Sequence, residues 1–97
     1  MIEVRKTETF RRWLDNLRDA RAFSKISARI VRMQEGNFGD VAPVGDGLSE
    51  LRIDYGPGYR VYFKRRGNTL VILLGGGDKD SQARDIVMAK RLASELE

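Results

Sequence analysis

Arg52, Arg60, Tyr62 and Lys64 occupy alternate positions in two short stretches, "LSELRIDY" and "YRVYFKRR", whose other alternate positions are mostly apolar. A period of two puts such side chains on one face of a pair of strands. Two arginines, a lysine and a tyrosine held together suit a narrow range of chemistry. Guanidinium groups grip a phosphate through bidentate forks and neutralise the extra negative charge that it gains in a transfer reaction. The remaining task is proton movement, off an attacking 2′-hydroxyl and onto the leaving oxygen. A lysine with a lowered pKa, a tyrosine or a carboxylate can carry it. Lys79 lies just past Gly75, Gly76 and Gly77, at the expected start of the last helix, and a helix N-terminus is itself a phosphate site. Each feature also has a plain structural reading: cross-strand ion pairs for the arginines, and a strand-to-helix turn for the glycines.

Composition narrows the choice further. The chain has 97 residues, 41% hydrophobic and 33% charged, which suits one globular domain. It contains no histidine and no cysteine. Imidazole pairs, thiolate nucleophiles, disulfides and cysteine zinc sites are therefore excluded. The formal charge is +4, and the excess is uneven, with nine Lys/Arg against three Asp/Glu between Arg5 and Arg32. Such a surface suits an anionic partner, either nucleic acid or an acidic protein. The first ten residues turn polar at Glu3, which is the pattern of neither a signal peptide nor a membrane anchor. The longest apolar run, "LVILL", is too short to span a bilayer.

The elements that must position these residues follow from periodicity. "IEVRK" alternates as a short strand, and Thr7 before Glu8 marks a helix start with Phe10, Trp13, Leu14 and Leu17 at helical spacing. A second helix places Ala22, Phe23, Ile26, Ile30 and Met33 on one stripe, while Arg21, Lys25, Arg29 and Arg32 line another face up to the stop at Gly36. "NFGDVAPVGDG" reads as a loop. Three strands follow. The middle one has Val61 and Phe63 inward and Arg60, Tyr62 and Lys64 outward, and "TLVILL" is apolar on both faces and hence covered on both sides. Gly56-Pro57-Gly58 forms the connection. Pairing Tyr55 with Tyr59 sets Asp54 opposite Arg60, Arg52 opposite Tyr62 and Glu50 opposite Lys64. The three glycines end the last strand, and "DKDSQARDIVMAKRLASEL" closes the chain as a helix with Ala83, Ile86, Val87, Ala93 and Leu96 available for packing. The predicted order is β-α-α-β-β-β-α, an α+β domain with helices on a mostly antiparallel sheet.

The stretches "LSELRIDYGPGYRVYF" and "LLGGGDKDSQARDI" resemble the toxin subunits of bacterial type II toxin–antitoxin modules. The similarity is to the phage-derived or addiction-module killer-protein branch of the RelE/ParE superfamily, related to the RelE and HigB toxins. It covers residues 1–97 as one toxin domain with a RelE-like fold. The resemblance implies a ribosome-dependent, metal-independent mRNA endoribonuclease that needs no cofactor, leaves a 2′,3′-cyclic phosphate and inhibits translation. It implies that Arg60 stabilises the scissile phosphate, that Arg52 and Lys64 adjoin the RNA backbone, and that Lys79 supplies a second cation after the last strand. Relatives carry a tyrosine or histidine in the C-terminal helix, where this chain has Gln82 and Arg84 and no aromatic residue after Phe63. Base contact or proton transfer then falls to Tyr59, Tyr62 or a lysine. A gyrase-poisoning toxin of the same superfamily, and an inactive RNA- or protein-binding module, are the alternatives. The implied partners are mRNA with the ribosome, and a cognate antitoxin of helix-turn-helix type, through which alone DNA would be met. The implied site of action is the cytoplasm, without a membrane. The basic stripe of Arg21, Lys25, Arg29 and Arg32 would meet ribosomal RNA or an acidic antitoxin, or would simply be a solvated helix face.

Overall fold

The computed structural model describes residues 1–96. The elements are β1 (Glu3–Lys6), α1 (Glu8–Asp15), α2 (Ala20–Gln34), β2 (Val41–Gly45), β3 (Leu48–Ile53), β4 (Tyr59–Arg66), β5 (Leu70–Gly77) and α3 (Gln82–Glu95). They form one five-stranded sheet in the order β1-β5-β4-β3-β2, with β1 parallel to β5 and every other pair antiparallel. The fold class is α+β, as expected. No described helix is long and apolar enough to cross a membrane.

Capping residues fix where α1 and α2 begin. The Thr7 hydroxyl accepts from the Phe10 amide at 3.1 Å and donates to the Leu73 carbonyl at 2.8 Å, so one side chain starts α1 and pins it to β5. Asp19 accepts from the amides of Arg21 and Ala22 at the head of α2. Both helices pack on one face of the sheet. There Phe10, Leu14, Ile26, Ile30 and Met33 meet Leu51, Ile53, Val61, Phe63, Val71 and Leu73. On the other face α3 lays Ala89 and Ala93 over Leu48, Tyr62, Ile72 and Leu74. The double-sided apolar character of β5 is thus met by helices on both sides.

Several expectations are corrected. The stretch expected as a loop contains β2, an edge strand in which Pro43 pairs with Ser49 and the register shifts before Gly45. Proline removes a ladder donor, which an edge strand tolerates. Phe23 leaves the α2 stripe and is exposed, because it sits a full 100° from Ala22 around the helix axis. Ala83, Val87 and Leu96 likewise lie on the open side of α3. The glycines do not end β5; all three belong to it.

The β3–β4 register also differs. Ile53 pairs with Tyr59, Arg52 with Arg60, Glu50 with Tyr62 and Leu48 with Lys64. Residues 54–58 form the turn instead, with the Tyr55 hydroxyl donating to Asp19 at 2.9 Å and Gly56 and Gly58 taking φ of +57° and +81°. A two-residue shift keeps every side chain on its expected face and changes every partner.

Candidate functional site

The new register sets Arg52 and Arg60 directly opposite one another on the α3 side of the sheet. Like charges in that position repel, so each needs a carboxylate. Arg52 donates through Nε and NH2 to Asp40 Oδ1 at 3.1 and 2.8 Å. Arg60 has Glu50 beside it, Nε to Oε1 at 3.8 Å. Asp54, expected opposite Arg60, is exposed in the turn instead. Across from Arg60 on its other side lies Gly77, the last residue of β5.

Beyond Gly77 the chain turns before α3 begins, and Lys79 projects from this turn. Asp78 Oδ1 accepts from the amides of Asp80 and Ser81 at 2.9 and 3.1 Å, which shapes the turn. Helix α3 starts at Gln82, so Lys79 precedes it by three residues where the sequence reading put it at the helix start. A Cβ built on Gly58 would stand 3.5 Å from Lys79 Cβ and 3.9 Å from Arg60 NH1, so the turn at residues 54–58 and the turn at residues 78–81 face each other closely. Between them opens a cleft of about 440 Å³ whose walls include Asp40, Arg52, Asp54, Arg60 and Lys79. Three of the four residues expected to be catalytic therefore converge on one cavity.

The fourth does not. Tyr62 is fully buried beneath α3, and its hydroxyl has no hydrogen-bond partner among the described residues. Burial, and then the charges of Glu50 and Asp85, push its pKa well above the ordinary tyrosine range, so it makes no base at neutral pH. Its outward-facing assignment fails because the face that looked polar in β3 and β4 is roofed by α3.

The residues expected to bind RNA are dispersed. Lys64 lies four positions along β4 from Arg60, about 13 Å at the strand rise, beside Lys90 and Ser94 of α3. Tyr59 packs edge-on to Trp13, ring centroids 6.3 Å apart. Arg84 is exposed on α3, and Arg21 and Lys25 are exposed on α2, with Lys25 Nζ 5.4 Å above the Tyr55 ring. Arg29 turns inward, donating to the carbonyls of Arg52, Phe38 and Asp40 at 2.7 to 3.3 Å. It ties α2 to the edge of the sheet.

Two residues of this region escaped the sequence reading as site components. Glu50 is 4% exposed, and its Oε1 accepts from Gln82 Nε2 at 2.8 Å. The available signal was that Glu50 shares a sheet face with Ile72 and Leu74, which already required cover. A second hollow of about 290 Å³ lies between α1 and α3, walled by Trp13, Met88 and Leu92. It is mainly apolar and gathers no set of cations, in contrast to the cleft.

Among known proteins, no family model and no solved structure matches the chain. A protein of Haemophilus influenzae (strain ATCC 51907 / DSM 11121 / KW20 / Rd), described as an uncharacterized protein, is 57% identical over 95 residues, covering 98% of this chain and 96% of its own. Identity of that extent leaves room for one fold only, and the chain belongs to the same family as that Haemophilus influenzae protein.

Proposed function

We propose that this protein is the toxin of a type II toxin–antitoxin module with a RelE-like fold, and that it cuts mRNA on the ribosome to stop translation. The observation that carries this reading is the pairing of Arg52 with Arg60 across β3 and β4, with Lys79 facing them over the cleft. Two opposed guanidinium groups with a lysine facing them concentrate positive charge in one cleft, which draws an anion there. A phosphodiester is the anion that such a set fits, through a bidentate fork from Arg60 and point charges from its neighbours.

The reaction is attack of the RNA 2′-hydroxyl on the adjacent phosphorus. A P–O bond to the 2′-oxygen forms as the bond to the 5′-oxygen of the next nucleotide breaks, giving a 2′,3′-cyclic phosphate. Arg60 neutralises the charge that builds on the non-bridging oxygens. Lys79, at the mouth of the cleft, donates a proton to the departing 5′-oxygen, and Arg52 fixes the backbone alongside. The 2′-hydroxyl proton passes to water or to a ribosomal group, since Tyr62 is closed off and protonated. The antitoxin, of helix-turn-helix type, is the partner expected to carry the complex to DNA, and the cytoplasm is the expected compartment. Arg21 and Lys25 on α2 and Arg84 on α3 supply exposed charge outside the cleft for the ribosome or the antitoxin.

The test is a primer-extension map of one message in a translating extract, wild type beside Arg60→Ala. Wild type should give new cuts only while ribosomes translate, and the variant should cut far more slowly, with a residual rate seen only at long times, while keeping the same circular dichroism. An unchanged message with both proteins overturns the reading and directs attention to gyrase.

A further inference from the structure

We infer that Glu50 is a positioning residue for Arg60, and that Gln82 on the first turn of α3 holds Glu50 in that role. The inference rests on the RNA-cleaving reading and deepens it. Glu50 is the only buried charged residue among the described residues, at 4% exposure. A carboxylate taken out of water must be paired or neutralised. Its pairing is unusually one-sided. Oε1 takes a hydrogen bond from Gln82 at 2.8 Å, while the Arg60 guanidinium stands off at 3.8 Å. That separation is an ion pair without a hydrogen bond, and Arg60 Nε is left buried and unpartnered.

The geometry separates the two edges of the guanidinium. The Nε side faces Glu50 beneath α3, and NH1 lies toward Gly58, on the wall of the cleft. Glu50 therefore fixes where the guanidinium sits without consuming the nitrogens that face the cavity. Arg52 is held differently, since its Nε and NH2 both go to Asp40. Arg60 is also the less exposed of the two, 15% against 39%. A charge that must meet a transition state gains from being held in place before the substrate arrives. Gln82 completes the support from outside the sheet: its amide can reach Glu50 only while the first turn of α3 is docked. Asp85, nearby on α3, is engaged instead by the Ser81 hydroxyl.

The experiment compares wild type, Glu50→Gln, Arg60→Ala and the double variant. Glu50→Gln keeps the size of the side chain and removes its charge. In nitrogen-15 NMR spectra the Arg60 Nε–H signal, identified by its loss in Arg60→Ala, should be sharp and slow to exchange in wild type. It should broaden or exchange faster in Glu50→Gln. In single-turnover cutting on ribosomes, Glu50→Gln should lower the rate about 10- to 100-fold with little change in the concentration for half-maximal rate, the usual size for loss of a supporting residue. The double variant should be no slower than Arg60→Ala alone. An unchanged Nε signal, or losses that simply multiply in the double variant, overturns the role of Glu50. Should Glu50→Gln fail to fold, Gln82→Ala leaves the charge in place, and the same two readouts should move in the same direction by less; no movement in either overturns the inference. A wild type that cuts nothing would defeat the RNA-cleaving reading alone, because the NMR comparison decides on Glu50 without any substrate.

Discussion

Tyr62 is wholly buried under α3, and among the described residues its hydroxyl has no partner. Alternation placed it beside Arg60 and Lys64 on one face, and it does lie on that face. What alternation does not contain is α3, which arrives from the far end of the chain to cover it. A buried hydroxyl without a partner costs about 1–3 kcal/mol in lost hydration, so Tyr62→Phe should be as stable as wild type or more stable by that order. Urea unfolding measures this, and a loss of stability would mean that the hydroxyl is bonded after all. The pH dependence has a definite sign. Burial raises the Tyr62 pKa in the folded state, so the neutral phenol favours folding. That contribution is whole below the ordinary tyrosine pKa and is lost as pH climbs above it. Wild type should therefore lose stability in alkali more steeply than Tyr62→Phe. Asp19 has the opposite sense: the Tyr55 hydroxyl and then the Ala22 amide lower its pKa, so its contribution is present above the ordinary aspartate pKa and fades as pH falls below it.

At the scale of elements, the helices were legible because their apolar spacing and their caps at Thr7 and Asp19 are local signals. The α+β class followed from the order of periods. The edge strand β2 was not legible, since Pro43 and its flanking glycines are also what a loop contains. Nor was the exact register of β3 on β4, which depends on the Tyr55–Asp19 hydrogen bond spanning 36 positions. The triple glycine was visible, but its cause was not. It looked like a turn or a phosphate cradle, whereas the glycines stay in β5 and let two helices come close on opposite faces. A Cβ on Gly76 would collide with the Trp13 ring of α1, and one on Gly77 would collide with Asp85 and Ser81 of α3. On Gly75 it would meet only Thr9 Cγ2, at 3.9 Å. Gly75→Ala should therefore change the urea midpoint little. Gly76→Ala should cost about 1–3 kcal/mol or more, the usual range for overpacking. Gly77→Ala should in addition displace the turn that carries Lys79 and so, on the proposed function, lower message cutting in the primer-extension assay. Equal effects at Gly75 and Gly76 would show that Trp13 is free to move.

For the whole molecule the question is where its +4 charge acts. The count of basic residues does not locate a binding surface, because the fold spends some of those charges on itself. Arg29 is bound to three backbone carbonyls, Arg5 to Glu3, and Arg12 to Glu8. Arg52, Arg60 and Lys79 converge on the cleft, while Arg21 and Lys25 lie on α2 near Tyr55. Binding of a short single-stranded RNA should weaken with salt, because each phosphate that a cation neutralises releases counterions, with a log–log slope of about 0.7 per phosphate. If the strand enters the cleft, Lys79→Ala should weaken binding and reduce that slope by about 0.7, whereas Arg21→Ala should leave it nearly unchanged. The reverse pattern would put the strand along α2. Arg29→Ala supplies the contrast, since it should lower stability by unpinning the β2–β3 edge rather than alter the slope in a folded protein. Titrating these three variants by fluorescence anisotropy at several salt concentrations would distinguish charge that meets the ligand from charge that holds the fold.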